Sequence, residues 1–102
     1  MIIYGVTVSV EKEIAEEWKT WMLDKHIPDV MNTGFFESFA VQKIIDPVVD
    51  PSMTTYNIQY TCESLEKLHT YQKEHSPALQ KEHSERYANR FVAFRVILEK
   101  VG

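Results

Sequence analysis

Apolar and polar residues alternate in two stretches of the chain, and this alternation is typical of strands that bury one side. The first stretch covers residues 2–10 and the second covers residues 54–62. The apolar positions are Ile2, Tyr4, Val6, Val8 and Val10 in the first, and Tyr56, Ile58, Tyr60 and Cys62 in the second. The intervening positions are mostly polar. The two stretches therefore predict a sheet with one apolar face and one mixed face.

Two further strands are predicted over residues 35–45 and 91–100, which are rich in aromatic and β-branched residues. One side of the earlier strand carries Phe35, Phe39, Val41 and Ile45. The last strand has Val92, Phe94, Val96 and Leu98 on one side and Phe91, Ala93, Arg95 and Ile97 on the other. We expect its uniformly apolar side, which lacks the arginine, to face the core. Residues 46–52, with two prolines and two aspartates, predict a hairpin loop.

Two helical patterns separate these strands. The first follows the acidic turn at residues 11–13 and is expected to end near Lys25, because Pro28 disfavours a helical conformation in the residue before it. Its apolar positions are Ile14, Trp18, Trp21 and Met22. The second pattern begins with Ser64 as a capping residue, and Pro77 predicts a kink or split within it.

The order strand, helix, strand, strand, helix, strand predicts an α+β fold, a ferredoxin-like βαββαβ sandwich. In this fold two helices cover one face of an antiparallel four-stranded sheet, and residues 1–102 suffice for a single domain. The predicted bare face carries Gly5, Thr7, Ser9, Asn57, Gln59, Thr61, Ala93 and Arg95, with Ile3, Phe91 and Ile97 near its ends. Such a face either meets solvent or lines a cavity closed by a second copy, as in a dimeric α/β barrel. The apolar residues near the ends of this face favour the cavity closed by a second copy, because they would otherwise form an exposed apolar patch.

The composition of the chain limits the classes of partner that we expect. Eleven basic and fifteen acidic side chains give a net charge of −4, which argues against nucleic acid as a partner. No apolar run approaches the roughly 20 residues of a membrane span, so no membrane partner is expected. The single cysteine, Cys62, forms neither an internal disulfide nor an iron-sulfur site, and residues 1–4 lack the features of a signal peptide. These features predict a reduced, cytoplasmic protein.

Metal and cofactor binding are not expected. The second helical region carries His69, His75 and His83 at separations of six and eight residues, rather than the three or four that align ligands on one helix face. Surface positions are expected for these histidines. The sequence therefore predicts no metal site and no bound cofactor.

The stretch from His26 to Phe35 places a histidine and a proline after the first helix, and then a glycine before an aromatic strand. Here the chain resembles the dimeric α/β-barrel superfamily and, over nearly its whole length, the domain-of-unknown-function family DUF4286. The resemblance also rests on Glu17-Trp18, Trp21-Met22, Tyr56–Tyr60, Pro77–Gln80 and Ala93–Arg95. It implies the ferredoxin-like fold. The superfamily includes cofactor-free monooxygenases, haem-degrading enzymes, isomerases and ligand-sensing domains, so it does not fix the activity.

Several side chains are candidates for chemistry. His26 is either a general acid or base near a cavity mouth or a histidine that caps the first helix. Arg95 either holds a ligand carboxylate or pairs with Glu37. The predicted ligand-binding residues are Thr7, Asn57, Gln59 and Arg95, and these polar groups orient a ligand or bridge two protomers.

Three functions follow from these candidates. The leading hypothesis is a homodimeric small-molecule-binding domain with a cavity between the two sheets. The first alternative is a cofactor-independent oxygenase or isomerase that uses His26 as acid or base. The second alternative is a structural dimerisation module.

Overall fold

A computed structural model describes all residues 1–102. Its strands are β1 (Ile2–Glu11), β2 (Phe36–Lys43), β3 (Met53–Cys62) and β4 (Phe91–Glu99). Its helices are α1 (Ala15–Trp21), α2 (Ile27–Asn32), α3 (Leu65–Glu74) and α4 (Ser76–Arg86). A 3-10 turn over Lys12–Ile14 precedes α1, and a π-helical turn over Met22–His26 joins α1 to α2.

The four strands form one antiparallel sheet in the order β2-β3-β1-β4. This order and connectivity confirm the predicted α+β, ferredoxin-like fold. The central strands β1 and β3 bury the residues that alternation assigned to their apolar sides, including Val10, Ile58 and Cys62, except that Ile2 is only partly buried. Helical residues cover them, chiefly Trp18 and Leu68, which are completely buried. The core therefore lies between the sheet and a single helical layer.

The first helical region does not end near Lys25. The N–H of Ile27 donates to the carbonyl of Met22, a five-residue spacing that creates the π-helical turn. Pro28 then lies at the start of α2, a position where a missing N–H is tolerated. The region ends at Gly34, which adopts a φ of 83° and donates its N–H to the carbonyl of Met31 at 3.1 Å.

The second helical region follows the prediction. Ser64 caps α3, and its Oγ accepts a hydrogen bond from the N–H of Lys67 at 3.2 Å. The region splits at His75, and Pro77 lies in the first turn of α4. Both features come from local chemistry, because a serine oxygen satisfies a free N–H and a proline lacks one.

The assignment of the two sides of β4 is wrong. Pairing with β1 places Arg95 opposite Val6, and Phe94 opposite Thr7. Directly paired residues share a face of an antiparallel sheet. Arg95 therefore lies on the side of the sheet that carries the helices, and the apolar side of β4 lies on the open face. The arginine is tolerated there because β4 is an edge strand, where a long side chain keeps its guanidinium hydrated.

The open face consequently has two halves. On β1 and β3, neighbouring polar side chains bond to each other: Asn57 Nδ2 donates to Thr7 Oγ1 at 3.1 Å, and the hydroxyls of Ser9 and Thr55 are 2.7 Å apart. On β4 the face is apolar and consists of Val92, Phe94, Val96 and Leu98, which are 66%, 62%, 42% and 41% exposed. We call these four residues the β4 stripe.

Candidate functional site

Two histidines meet on the helix side of the sheet. His26 ends the π-helical turn and His83 lies on α4, and their ring centroids are 5.9 Å apart. Trp21 packs against both rings, at 5.5 Å from His26 and 6.0 Å from His83. Phe91 of β4 packs edge-to-face against His83, with ring centroids 4.5 Å apart. Residues distant in sequence thus form one aromatic and imidazole cluster.

His83 is a residue that sequence reasoning missed. The expectation of a surface position is wrong, because His83 is only 8% exposed. It lies four residues after Leu79 and four before Tyr87, and this spacing puts all three on the inner side of the helix. The signal was present in the sequence, since a histidine in an apolar stripe at helical spacing is a buried histidine.

The tautomer of His83 is set by a tryptophan. Trp18 Nε1–H donates to His83 Nε2 at 2.9 Å, and both side chains are buried. His83 Nε2 therefore carries no proton in the neutral ring, and Nδ1 carries it instead. Burial, with a smaller effect of the nearby charges of His26 and Arg95, lowers the pKa of His83 to about 4. The ring is neutral at physiological pH.

His26 differs from His83 because one of its nitrogens has no partner. Its Nδ1 is fully buried and forms no hydrogen bond. Burial lowers the pKa of His26, and this effect outweighs the opposing influence of Glu82 and Asp29. A buried polar atom without a partner is rare and costly, and it usually marks a position that a ligand or a water completes. A neutral imidazole of this kind is also able to accept a proton.

His26 lines a small cavity between the helices and the sheet, with a volume of about 40 Å³. Its polar lining groups are Tyr4, Tyr60, Tyr71, Ser76, Gln80 and Arg95. A space of this size holds about one water molecule. The helix above it, α4, has Ser76 and His83 as its fully buried residues, and its Leu79 packs partly buried against the core.

The predicted site residues lie on both faces of the sheet. His26 and Arg95 lie together on the helix side, since both line the cavity. Thr7, Asn57 and Gln59 lie on the open face, because they pair with one another or with Gly5 across β1 and β3. The expectation that Arg95 shares a face with Asn57 and Gln59 is therefore wrong.

Two expectations for single residues also change. His26 does not cap the end of a helix, because α2 continues to Asn32. Arg95 is not paired with Glu37, since every ion pair of the chain uses another cation. Those cations are Lys19, Lys25, Lys67, Lys81, Arg86 and Arg90.

No group of three or more histidine, cysteine, aspartate or glutamate side chains is arranged to hold a metal ion. None of the helices combines the length and the apolar character needed to cross a bilayer. The polar groups that line the cavity are imidazole, guanidinium, hydroxyl and amide groups.

The buried histidine predicts a pH dependence of stability. Unfolded His83 regains its ordinary pKa near 6.5, whereas the folded ring titrates near 4, so the unfolded chain binds more protons between these values. We expect stability to fall as the pH drops from 6.5 to 4, by on the order of 3 kcal/mol from this group. His83→Gln should lack this contribution, while its amide oxygen still accepts from Trp18.

Urea unfolding of both proteins at pH 4, 5, 6 and 7 measures this difference directly. The exposed His69 on α3 provides a matched control, so His69→Gln should keep the full pH dependence. Parallel curves for His83→Gln and the unchanged protein would contradict the assignment.

Comparison with known proteins adds a family and a fold. The family described as "Domain of unknown function (DUF4286)" matches residues 1–101. No curated protein matches the sequence. Three of the solved structures that resemble this one are 14–18% identical to it in sequence, and at such identities the likeness shows the ferredoxin-like fold.

The first of these structures is a protein of the ethyl tert-butyl ether (EthD) family from Bacillus halodurans, with a TM-score of 0.69 at 14% identity, covering 99% of this chain and 100% of that one. The second is a candidate antibiotic biosynthesis monooxygenase from Deinococcus radiodurans, with a TM-score of 0.66 at 14% identity, covering 100% and 94%. The third is a variant of MhuD with two manganese protoporphyrin IX molecules bound per active site, with a TM-score of 0.66 at 18% identity, covering 99% and 95%.

Proposed function

The chain belongs to the DUF4286 family, and on that premise we propose that it is a small-molecule-binding domain whose ligand occupies the cavity at His26. One observation carries this proposal: His26 Nδ1 is buried, has no hydrogen-bonding partner in the chain, and belongs to a ring that lines a cavity with mixed polar and apolar walls. A ligand that bonds to this atom removes the cost of leaving it unpaired. MhuD, which shares the fold, holds a manganese porphyrin.

The cavity must expand to hold more than a few atoms. Its roof is the first turn of α4, which is the part of that helix most able to move, because Leu79 and Gln80 are only partly buried there. Arg95 is exposed on an edge strand, and Gln80 is only partly buried, so both have room to change rotamer. Displacement of this first turn leaves the hydrogen bond between Trp18 and His83, two turns further along α4, in place.

The second part of the proposal is a homodimer that covers the open face. The β4 stripe exposes four apolar side chains on a face that also carries Ile3. A second copy related by a two-fold axis presents the same surface and buries both stripes. In this arrangement Thr7, Asn57 and Gln59 line the space between the two sheets, where they bind a ligand or bridge the protomers.

A cytoplasmic location is part of the same proposal. The only cysteine, Cys62, is buried and unpaired. Proteins of reducing compartments carry such thiols, whereas exported domains of this size often carry disulfides.

A second candidate function is proton transfer in a cofactor-independent oxygenase or isomerase. The lowered pKa of His26 supports it, because a ring that is neutral at pH 7 is ready to accept a substrate proton. The Deinococcus radiodurans protein with this fold is a candidate monooxygenase. Both candidate functions use the same pocket. Identification of the bound compound, and whether the protein converts it into a product, distinguishes catalysis from binding alone.

Native mass spectrometry of protein isolated from its own host tests the main proposal, because it reports subunit number and any retained compound together. We expect two chains and a bound small molecule. His26→Gln removes the imidazole and is expected to lose most of that compound, whereas His69→Gln on the outer surface of α3 should retain it.

A dimer without any compound, combined with no response of the His26 resonances to a library of small acids, phenols and porphyrins, would contradict ligand binding. That result would favour the structural dimerisation module. If His26→Gln and the unchanged protein retain the same amount of compound, the ligand binds outside this cavity.

A further inference from the structure

We propose that the ligand of the His26 cavity carries a carboxylate, and that Arg95 is the residue that binds it. This inference rests on the proposed function, because it names the chemical class of the ligand of the same pocket. It follows from the charges that surround the cavity.

Arg95 is a cation without a counterion. It lines the cavity, yet no aspartate or glutamate forms an ion pair with it, since all seven ion pairs of the chain use other cations. The chain is acidic overall, with a net charge of −4. An arginine that remains unpaired in an acidic protein, at the wall of a polar cavity, has the charge and the fork of donors that a carboxylate requires.

Arg95 supplies the permanent positive charge at the cavity. It lines the same cavity as His26, and its charge contributes to the lowered pKa of both His26 and His83, which leaves these imidazoles neutral at pH 7. The carboxylates whose charges oppose the lowered pKa of His26 are Glu82 and Asp29, and Lys25 pairs with both of them. The guanidinium is therefore left without a counterion while these carboxylates are already engaged. An anion supplied from outside balances its charge.

The walls of the cavity carry hydroxyl groups that can bind a carboxylate. Tyr4, Tyr60 and Tyr71 line it, and burial raises the pKa of Tyr60 and Tyr71, so their hydroxyls stay protonated and able to donate. The buried Nδ1 of His26 is a further donor when protonated. These hydroxyls and the guanidinium of Arg95 are donors available to an oxyanion, and the guanidinium repels a cation.

Benzoate and benzamide form a matched pair of probes, because they differ in charge and hardly in shape. We expect benzoate to shift the His26 side-chain resonances in a nitrogen-proton NMR titration and to raise the pKa of His26, since an anion stabilises the imidazolium. Benzamide should bind at least 10-fold more weakly. Arg95→Gln should weaken benzoate roughly 10-fold or more, the usual consequence of losing a charged hydrogen bond, and leave benzamide unchanged.

Arg90→Gln is the control, because Arg90 is also on the surface and is already paired with Glu11. It should bind benzoate as the unchanged protein does. Equal affinity for the two probes, no response to benzoate, or an Arg95→Gln variant that binds benzoate normally would each overturn the inference. Retention of a neutral compound in native mass spectrometry would overturn it while leaving the proposed function in place, whereas an empty pocket with no probe response would overturn both.

Discussion

Trp18→Ala is expected to lower the free energy of unfolding by about 3–5 kcal/mol, the range for removing a buried tryptophan from a core. Trp18 is completely buried and stacks on Tyr56, with ring centroids 5.1 Å apart. It also provides the only hydrogen bond to His83 Nε2, so its loss leaves a buried acceptor without a donor. For a domain of this size the change is a large share of the total stability.

Two variants separate packing from hydrogen bonding. Trp18→Phe keeps most of the ring volume and removes the N–H, so we expect a smaller loss of about 1–3 kcal/mol and a rise in the pKa of His83. Trp21 is only half-buried, so Trp21→Ala is a matched control with a smaller effect. Urea denaturation gives the free energies, and NMR titration gives the pKa. A Trp18→Ala variant no less stable than Trp21→Ala would contradict the central position of this tryptophan.

Phe94→Asp is expected to convert the proposed homodimer into single subunits. Phe94 lies on the open face at the centre of the β4 stripe and is 62% exposed within one subunit. In a two-fold interface the substitution buries two unpaired carboxylates, one from each copy, at a cost of several kcal/mol. Sedimentation or light scattering at tens of micromolar protein should show half the mass of the unchanged protein.

The chain supplies a control for this effect. Phe39 is 45% exposed, but it lies on β2, at the opposite edge of the sheet, and pairs with Tyr60 on the helix side. Phe39→Asp should therefore leave the subunit number unchanged. A single subunit in the unchanged protein at high micromolar concentration, or a dimer that survives Phe94→Asp, would rule out the open face as the interface.

The sequence was a reliable guide wherever a local pattern had only one structural solution. Strict alternation identified the buried sides of β1 and β3, because a strand with one polar side has only one way to face a core. Ser64 and Pro77 marked a helix start and a helix break through their own hydrogen-bonding chemistry. These signals were enough for the ferredoxin-like fold.

The candidate site was only partly predictable. His26 was a candidate from the sequence, whereas its neighbour His83 was expected at the surface, because that is the more common position of a histidine. The predicted end of the first helical region lay too early in the chain, because a proline usually breaks a helix. No local sequence signal indicates the π-helical turn that accommodates Pro28.

The sequence by itself determined the order of the elements, the inner faces of the central strands and the family of this chain. Only the tertiary structure decided which side of β4 faces the helices, and with it the position of Arg95 beside His26. The physical reason is that β4 is an edge strand with apolar residues on both sides, so burial does not discriminate between its faces. Its register is fixed instead by backbone hydrogen bonds to β1, and the side-chain pattern does not indicate which residues these bonds pair.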